Sequence, residues 1–125
     1  MSGALVFSDY LNLAKQKKVF GFIDKETQIQ PSSIDLSLSS ECFEITTSFL
    51  SPKNKVREKL KKIAKKKFNI KKGKIFKKNK TYIVKLNEQL NLNKSIKGHC
   101  NPKSSTGRLN IFCRTVLDYC DEYEK

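Results

Sequence analysis

With 125 residues the chain suits one domain with a modest core. Its net charge is +14, yet fifteen of its 26 basic residues and one acid, Glu58, lie between Lys53 and Lys80, and the rest of the chain is neutral. There is no run of about 18 apolar residues and no basic region ahead of an apolar stretch in Met1 to Phe7; neither a membrane-spanning helix nor a signal peptide is expected.

In chain order, Ser8 is placed to cap a short helix running to about Lys18, with Tyr10, Leu11 and Ala14 on one side and Gly21 at or beyond its end. Ile34, Leu36 and Leu38 alternate with Ser33, Asp35 and Ser37, which is strand periodicity. Phe43 to Thr47 reads as a second strand, with Phe43 and Ile45 on one face and Glu44 and Thr46 on the other. Val56, Leu60, Ile63 and Ala64 fall at helical spacing, predicting an amphipathic helix over Asn54 to Lys67 with a solvated lysine face, broken by Gly73. Tyr82 to Leu86 reads as a strand, and a polar stretch with Asn91 and Asn93 follows. Asn110 to Leu117, rich in β-branched and aromatic residues, predicts a strand. No internal repeat is present. The expected architecture is β-rich with two peripheral helices.

The lysine-rich segment invites a nucleic-acid reading. Base-specific readers lean on arginine, whose planar fork pairs with guanine edges. Here Arg57, Arg108 and Arg114 stand against 23 lysines. A biased genome composition explains the lysines better, so no nucleic-acid partner is expected. Two of the three arginines fall between Arg108 and Arg114, where a planar donor is therefore needed. Cys42, Cys100, Cys113 and Cys120 form no C-x-x-C pair and are expected to be reduced thiols in a cytoplasmic protein. His99 has no P-C-x-x-C partner and reads as a structural loop residue, so no zinc is expected.

Residues Asn101 to Leu109 (Asn-Pro-Lys-Ser-Ser-Thr-Gly-Arg-Leu) carry the functional signal. Ser104 and Ser105 offer hydroxyls and consecutive N–H groups. Gly107 tolerates left-handed dihedrals and close approach of a ligand. Lys103 and Arg108 add about eight N–H donors and two positive charges. A triphosphate needs that combination.

Together with Gln28 to Leu38 (Gln-Ile-Gln-Pro-Ser-Ser-Ile-Asp-Leu-Ser-Leu), this segment resembles the deoxycytidine triphosphate deaminases of the deoxyuridine triphosphatase-like superfamily. The resemblance is to the longer proteobacterial branch, which carries I-Q-P-A-S-x-D-L-R-L and N-P-K-S-S-T-G-R-L-D-V-F-T-R. This chain departs at Asn110 (Asp there), at Cys113 (Thr) and at Ser37 (Arg). The resemblance covers roughly Phe7 to Asp118.

It implies a mainly β fold, a distorted β-barrel or β-clip with two peripheral helices, incomplete in this chain. It also implies metal-free hydrolysis of dCTP to dUTP and ammonia in dUTP/dTTP biosynthesis, within a homotrimer. Ser104 would orient the water and Arg108 would assist beside the base. Lys103, Ser105, Thr106 and Gly107 would line the phosphates, with Mg2+ bound through the triphosphate. Thr115, Val116, Leu117 and Asp118 would face the pyrimidine, with Asp121 the alternative to Asp118 for the one aspartate position. Asp35 reads as a fold anchor rather than a catalyst. Glu122 and Glu124 read as solvated charges.

The family's general acid/base glutamate follows in a strand that has no counterpart before Lys125. The chain is therefore expected to be the N-terminal part of a longer domain and inactive alone. A dUTP diphosphatase or bifunctional enzyme is the alternative within the superfamily; a lysine-rich nucleic-acid-binding module is the alternative outside it.

Overall fold

The computed structural model describes residues 3–47 and 56–116. The first helix, α1 (Phe7–Lys15), opens two residues earlier than a Ser8 cap would place it. Val6 caps it, and its N–H donates to the Asp9 carboxylate at 2.9 Å, an acid well placed at the positive end of the helix dipole. It also closes before Lys18. Lys17 takes a left-handed φ of 54°, its N–H bonds to Ala14 O, and Lys18 N–H reaches back to Leu13 O, which is a Schellman closure. The Tyr10 hydroxyl donates to Ser32 O at 3.0 Å and ties the helix to the Gln28 to Leu38 motif.

Strand β1 (Val19–Phe20) pairs antiparallel with β5 (Gln89–Leu90), and between them in sequence lie one more helical turn and the main sheet. The turn, α2 (Lys25–Gln28), was not anticipated, although its signature is present. Asp24 caps it by accepting the Glu26 N–H at 3.0 Å and the Thr27 hydroxyl at 2.9 Å.

The main sheet has the order β3–β2–β4, with β2 (Leu38–Ile45) antiparallel to both β3 (Ala64–Asn69) and β4 (Thr81–Leu86). β4 matches the strand expected at Tyr82 to Leu86. The strand expected from Ile34 begins only at Leu38. Ile34 makes an isolated bridge to Ile29, and the N–H groups of Asp35 and Ser37 are taken by Gln28 O and the Glu88 carboxylate instead of a neighbouring strand. Within β2 the expected two-faced alternation fails, because the pairing shifts between Glu44 and Ile45 and both are buried.

Helix α3 (Val56–Ile63) buries Leu60 and stops at Ile63. The helix expected to reach Lys67 ends there because Ala64 to Lys67 pairs with β2 as β3, and tertiary pairing overrides helical spacing. Residues 54 and 55 of that expected helix lie outside the described residues. Since β3 and β4 both run antiparallel to β2, the lysine-rich segment 70–80 is a crossover between two mutually parallel strands. Phe76 packs on Tyr82 with ring centroids 4.6 Å apart, and Lys74 Nζ sits 3.8 Å over the Phe68 ring. Much of the charge is thus the solvated outer side of a connection covering one sheet face.

That face contains Cys42, which is fully buried, and burial pushes its thiol pKa up; Cys113 is exposed. Under native conditions a thiol reagent should therefore label Cys113 quickly and Cys42 only after unfolding. Peptide mapping of labelled sites at increasing urea checks this.

Glu41, on the central strand β2, accepts from Arg57 at 2.8 Å and pairs with Lys67 at 2.9 Å. The Arg57 hydrogen bond, then that of Lys67, hold its carboxyl pKa down at about 2. A depressed folded-state pKa means stability that is present above the ordinary value of 4.5 and lost as pH falls through about 2. Both cations are well exposed, so the contribution is under about 1 kcal/mol. Glu41→Gln is expected to flatten the acid limb of stability between these values, lowering neutral-pH stability by under about 1 kcal/mol and leaving stability below a pH of about 2 unchanged, as read by urea unfolding at each pH.

The fold is mainly β with few helices. Its two sheets do not close into a barrel among the described residues. Asn110 to Val116 forms no strand, contrary to expectation, and Leu117 lies outside the described residues. Strand propensity alone does not make a ladder, and none of the described strands pairs with this segment. Phe112 is consequently 96% exposed.

Candidate functional site: a basic turn tied to the first motif

The basic motif folds as a single turn, α4 (Ser104–Arg108), capped by Lys103. The Thr106 hydroxyl donates to Lys103 O at 2.6 Å and its N–H does so at 3.1 Å, which fixes the entry to the turn. The exit is a second Schellman closure. Asn110 takes φ 55°, its N–H bonds to Gly107 O and Ile111 N–H to Thr106 O. The left-handed residue is therefore Asn110, where the branch has Asp, and not Gly107. Gly107 is helical, and a Cβ there would meet open space. Its value is in leaving the outer surface of the turn bare.

The side chains of Ser104, Ser105 and Arg108 are exposed and engage no partner among the described residues. Thr115 is half-buried and Val116 exposed, both on backbone that joins no sheet among the described residues. Leu117 and Asp118 lie outside those residues.

Lys103 is the link between the two motifs. Its Nζ lies 2.7 Å from Asp35 Oδ2. Asp35 is itself clamped on both backbone groups by one residue: its N–H donates to Gln28 O at 2.8 Å and its C=O accepts from Gln28 Nε2 at 2.8 Å. Asp35 thus anchors the fold, as its sequence context suggested, but its carboxylate does so across to the basic turn.

Behind Asp35 lies a buried polar cluster that sequence reasoning missed. Glu88 accepts from Gln28 Nε2 at 2.6 Å, from Ser37 Oγ at 2.5 Å and from Ser37 N–H at 2.9 Å. Asn87 Nδ2 donates to Ser37 Oγ at 3.0 Å. Ser37, where the branch has Arg, is short enough to sit inside this cluster. Only the polarity of Asn87-Glu88 between two apolar strand positions hinted at it.

A cleft of about 560 Å³ lined by Ile23, Leu38, Ser39, Ser40, Ile70, Lys71 and Asn87 borders the cluster, yet none of Lys103 to Arg108 lines it. Among the described residues no three His, Cys, Asp or Glu side chains gather as metal ligands, and no helix is long and apolar enough to cross a membrane.

The arrangement offers two cations, two free hydroxyls and an ion pair to Asp35, itself hydrogen-bonded to the buried Gln28. The family described as 2'-deoxycytidine 5'-triphosphate deaminase (DCD) N-terminal domain matches residues 2–125. The crystal structure of 2'-deoxycytidine 5'-triphosphate deaminase from Agrobacterium tumefaciens is similar, with a TM-score of 0.82 and 34% sequence identity over 88% of this chain. This chain spans 33% of that one. No curated protein matches. Motifs, fold and family description agree, and the chain belongs to the deoxycytidine triphosphate deaminase family through its N-terminal domain.

Proposed function

We propose that these residues form the nucleotide-binding part of a dCTP deaminase, hydrolysing dCTP to dUTP and ammonia in dUTP/dTTP biosynthesis. One observation carries the reading: Lys103, at the head of the Ser-Ser-Thr-Gly-Arg turn, is held 2.7 Å from Asp35 of the first motif, so both family motifs meet in one place. In this reading Ser104 orients the attacking water and Arg108 stabilises charge beside the base. Lys103, Ser105 and the backbone of Thr106 and Gly107 bind phosphate. The Thr106 hydroxyl is committed to Lys103 O, so it shapes the turn. Thr115 to Asp118 face the pyrimidine.

Mg2+ would neutralise phosphate charge when bound. The donor set fits an ion carried by the nucleotide, because the carboxylate tied to the turn, Asp35, is already engaged by Lys103. No zinc is invoked. The proton-shuttling glutamate would come from residues outside these 125. A cytoplasmic homotrimer is the proposed setting, with no nucleic-acid partner.

The test is ammonia release from dCTP by the full-length protein containing this chain. Steady release, with Ser104→Ala reducing kcat by roughly a hundredfold or more while the fold is kept, is the expected result. Pyrophosphate release from dUTP without any deamination would move the reading to the sister activity.

A further inference from the structure

Glu88 is a buried carboxylate, 8% exposed, in the link between β4 and β5, and the proposed chemistry makes no use of it. Each of its oxygens faces a group that can only donate: Gln28 Nε2 at Oε1 and Ser37 N–H at Oε2. Its contacts are the neutral donors of Gln28 and Ser37. Burying a carboxyl group is costly unless its hydrogen bonds are made, and these bonds hold their donors in place in turn.

Gln28 has every hydrogen-bonding position filled. Its Oε1 accepts from Ile23 and Asp24 N–H at 2.8 and 2.9 Å, and its Nε2 donates to Glu88 and to Asp35 O. Because Glu88 takes only a donor, it acts together with the Ile23 and Asp24 N–H groups at the other end to fix which end of the Gln28 amide faces Asp35. Asp35, so fixed, holds Lys103.

We infer that Glu88 is a positioning residue for the basic turn, acting through Gln28 and Asp35 on the Lys103 ammonium. The inference rests on reading Lys103 as a phosphate contact. Glu88→Gln keeps the size of the side chain but sets an NH2 group against either Ser37 N–H or Gln28 NH2. One of those contacts must open, or the Gln28 amide must flip and turn its oxygen on the Asp35 carbonyl.

The experiment is amide NMR of the full chain, paired with titrations of dCTP and deoxycytidine. Glu88→Gln should shift the amides of Asp35 and of Lys103 to Gly107, and in an Asp35→Asn background the effect on Lys103 to Gly107 should disappear. Affinity for dCTP should fall roughly three- to thirtyfold while that for deoxycytidine holds. Ser37→Ala removes one donor to Glu88, leaves Asn87 Nδ2 its bond to Leu38 O, and should give the same pattern at smaller size, which serves if Glu88→Gln does not fold. Shifts confined to the surroundings of Gln28 and Ser37, or equal losses for both ligands, would overturn the relay. A wild-type protein binding dCTP and deoxycytidine equally would instead overturn the phosphate reading, with the amide shifts still deciding the relay.

Discussion

Replacing Arg108 by lysine in the full-length enzyme is expected to lower kcat/KM for dCTP by ten- to a hundredfold, about 1–3 kcal/mol of transition-state stabilisation. Arg108 ends α4, is exposed, and engages no partner among the described residues, so its guanidinium is available to a ligand. Lysine keeps the charge and loses the planar two-pronged donor. In a chain that uses lysine 23 times and arginine three times, that geometry is what the position provides. Steady-state kinetics with dCTP decide it, and unchanged turnover in the lysine variant would mean that charge alone matters there.

The largest expected stability effect lies at Gly21. Its φ is +88°, and a Cβ built there would collide with the carbonyl oxygen of Asn87. Alanine should cost about 3 kcal/mol, combining left-handed strain with a backbone clash. Gly73 supplies the control. It has nearly the same φ, +89°, but open space around it, so Gly73→Ala should cost only the strain, about 1 kcal/mol. Urea midpoints of the two variants separate close approach from strain, and equal shifts would refute the contact between Gly21 and Asn87. Because Asn87 and Glu88 belong to the cluster behind Asp35, Gly21→Ala should also loosen the basic turn.

What was legible in the sequence was what local chemistry dictates. Tyr82 to Leu86 alternates and forms β4. The Asn-Pro-Lys-Ser-Ser-Thr-Gly-Arg segment forms a basic turn because Lys103 and Thr106 bond within it. Boundaries slipped where a left-handed residue intervened, as at Lys17, which no periodicity marks. β3 was hidden because Ala64 continues the helical spacing of Val56, Leu60 and Ile63, and only pairing with β2 makes Ala64 to Asn69 a strand. Asn110 to Val116 shows the converse, with strand-forming residues that pair with none of the described strands. The polar cluster behind Asp35 was illegible for another reason. Gln28 and Glu88 are residue types that normally face water. Their burial depends on each other, across 60 positions of sequence.

In calorimetric titrations of the full-length protein, dCTP should bind at least roughly tenfold more tightly than deoxycytidine, through charge-assisted hydrogen bonds to the phosphates, and Lys103→Ala should remove most of the difference. Equal affinity for nucleotide and nucleoside would contradict a triphosphate site at Lys103 to Arg108.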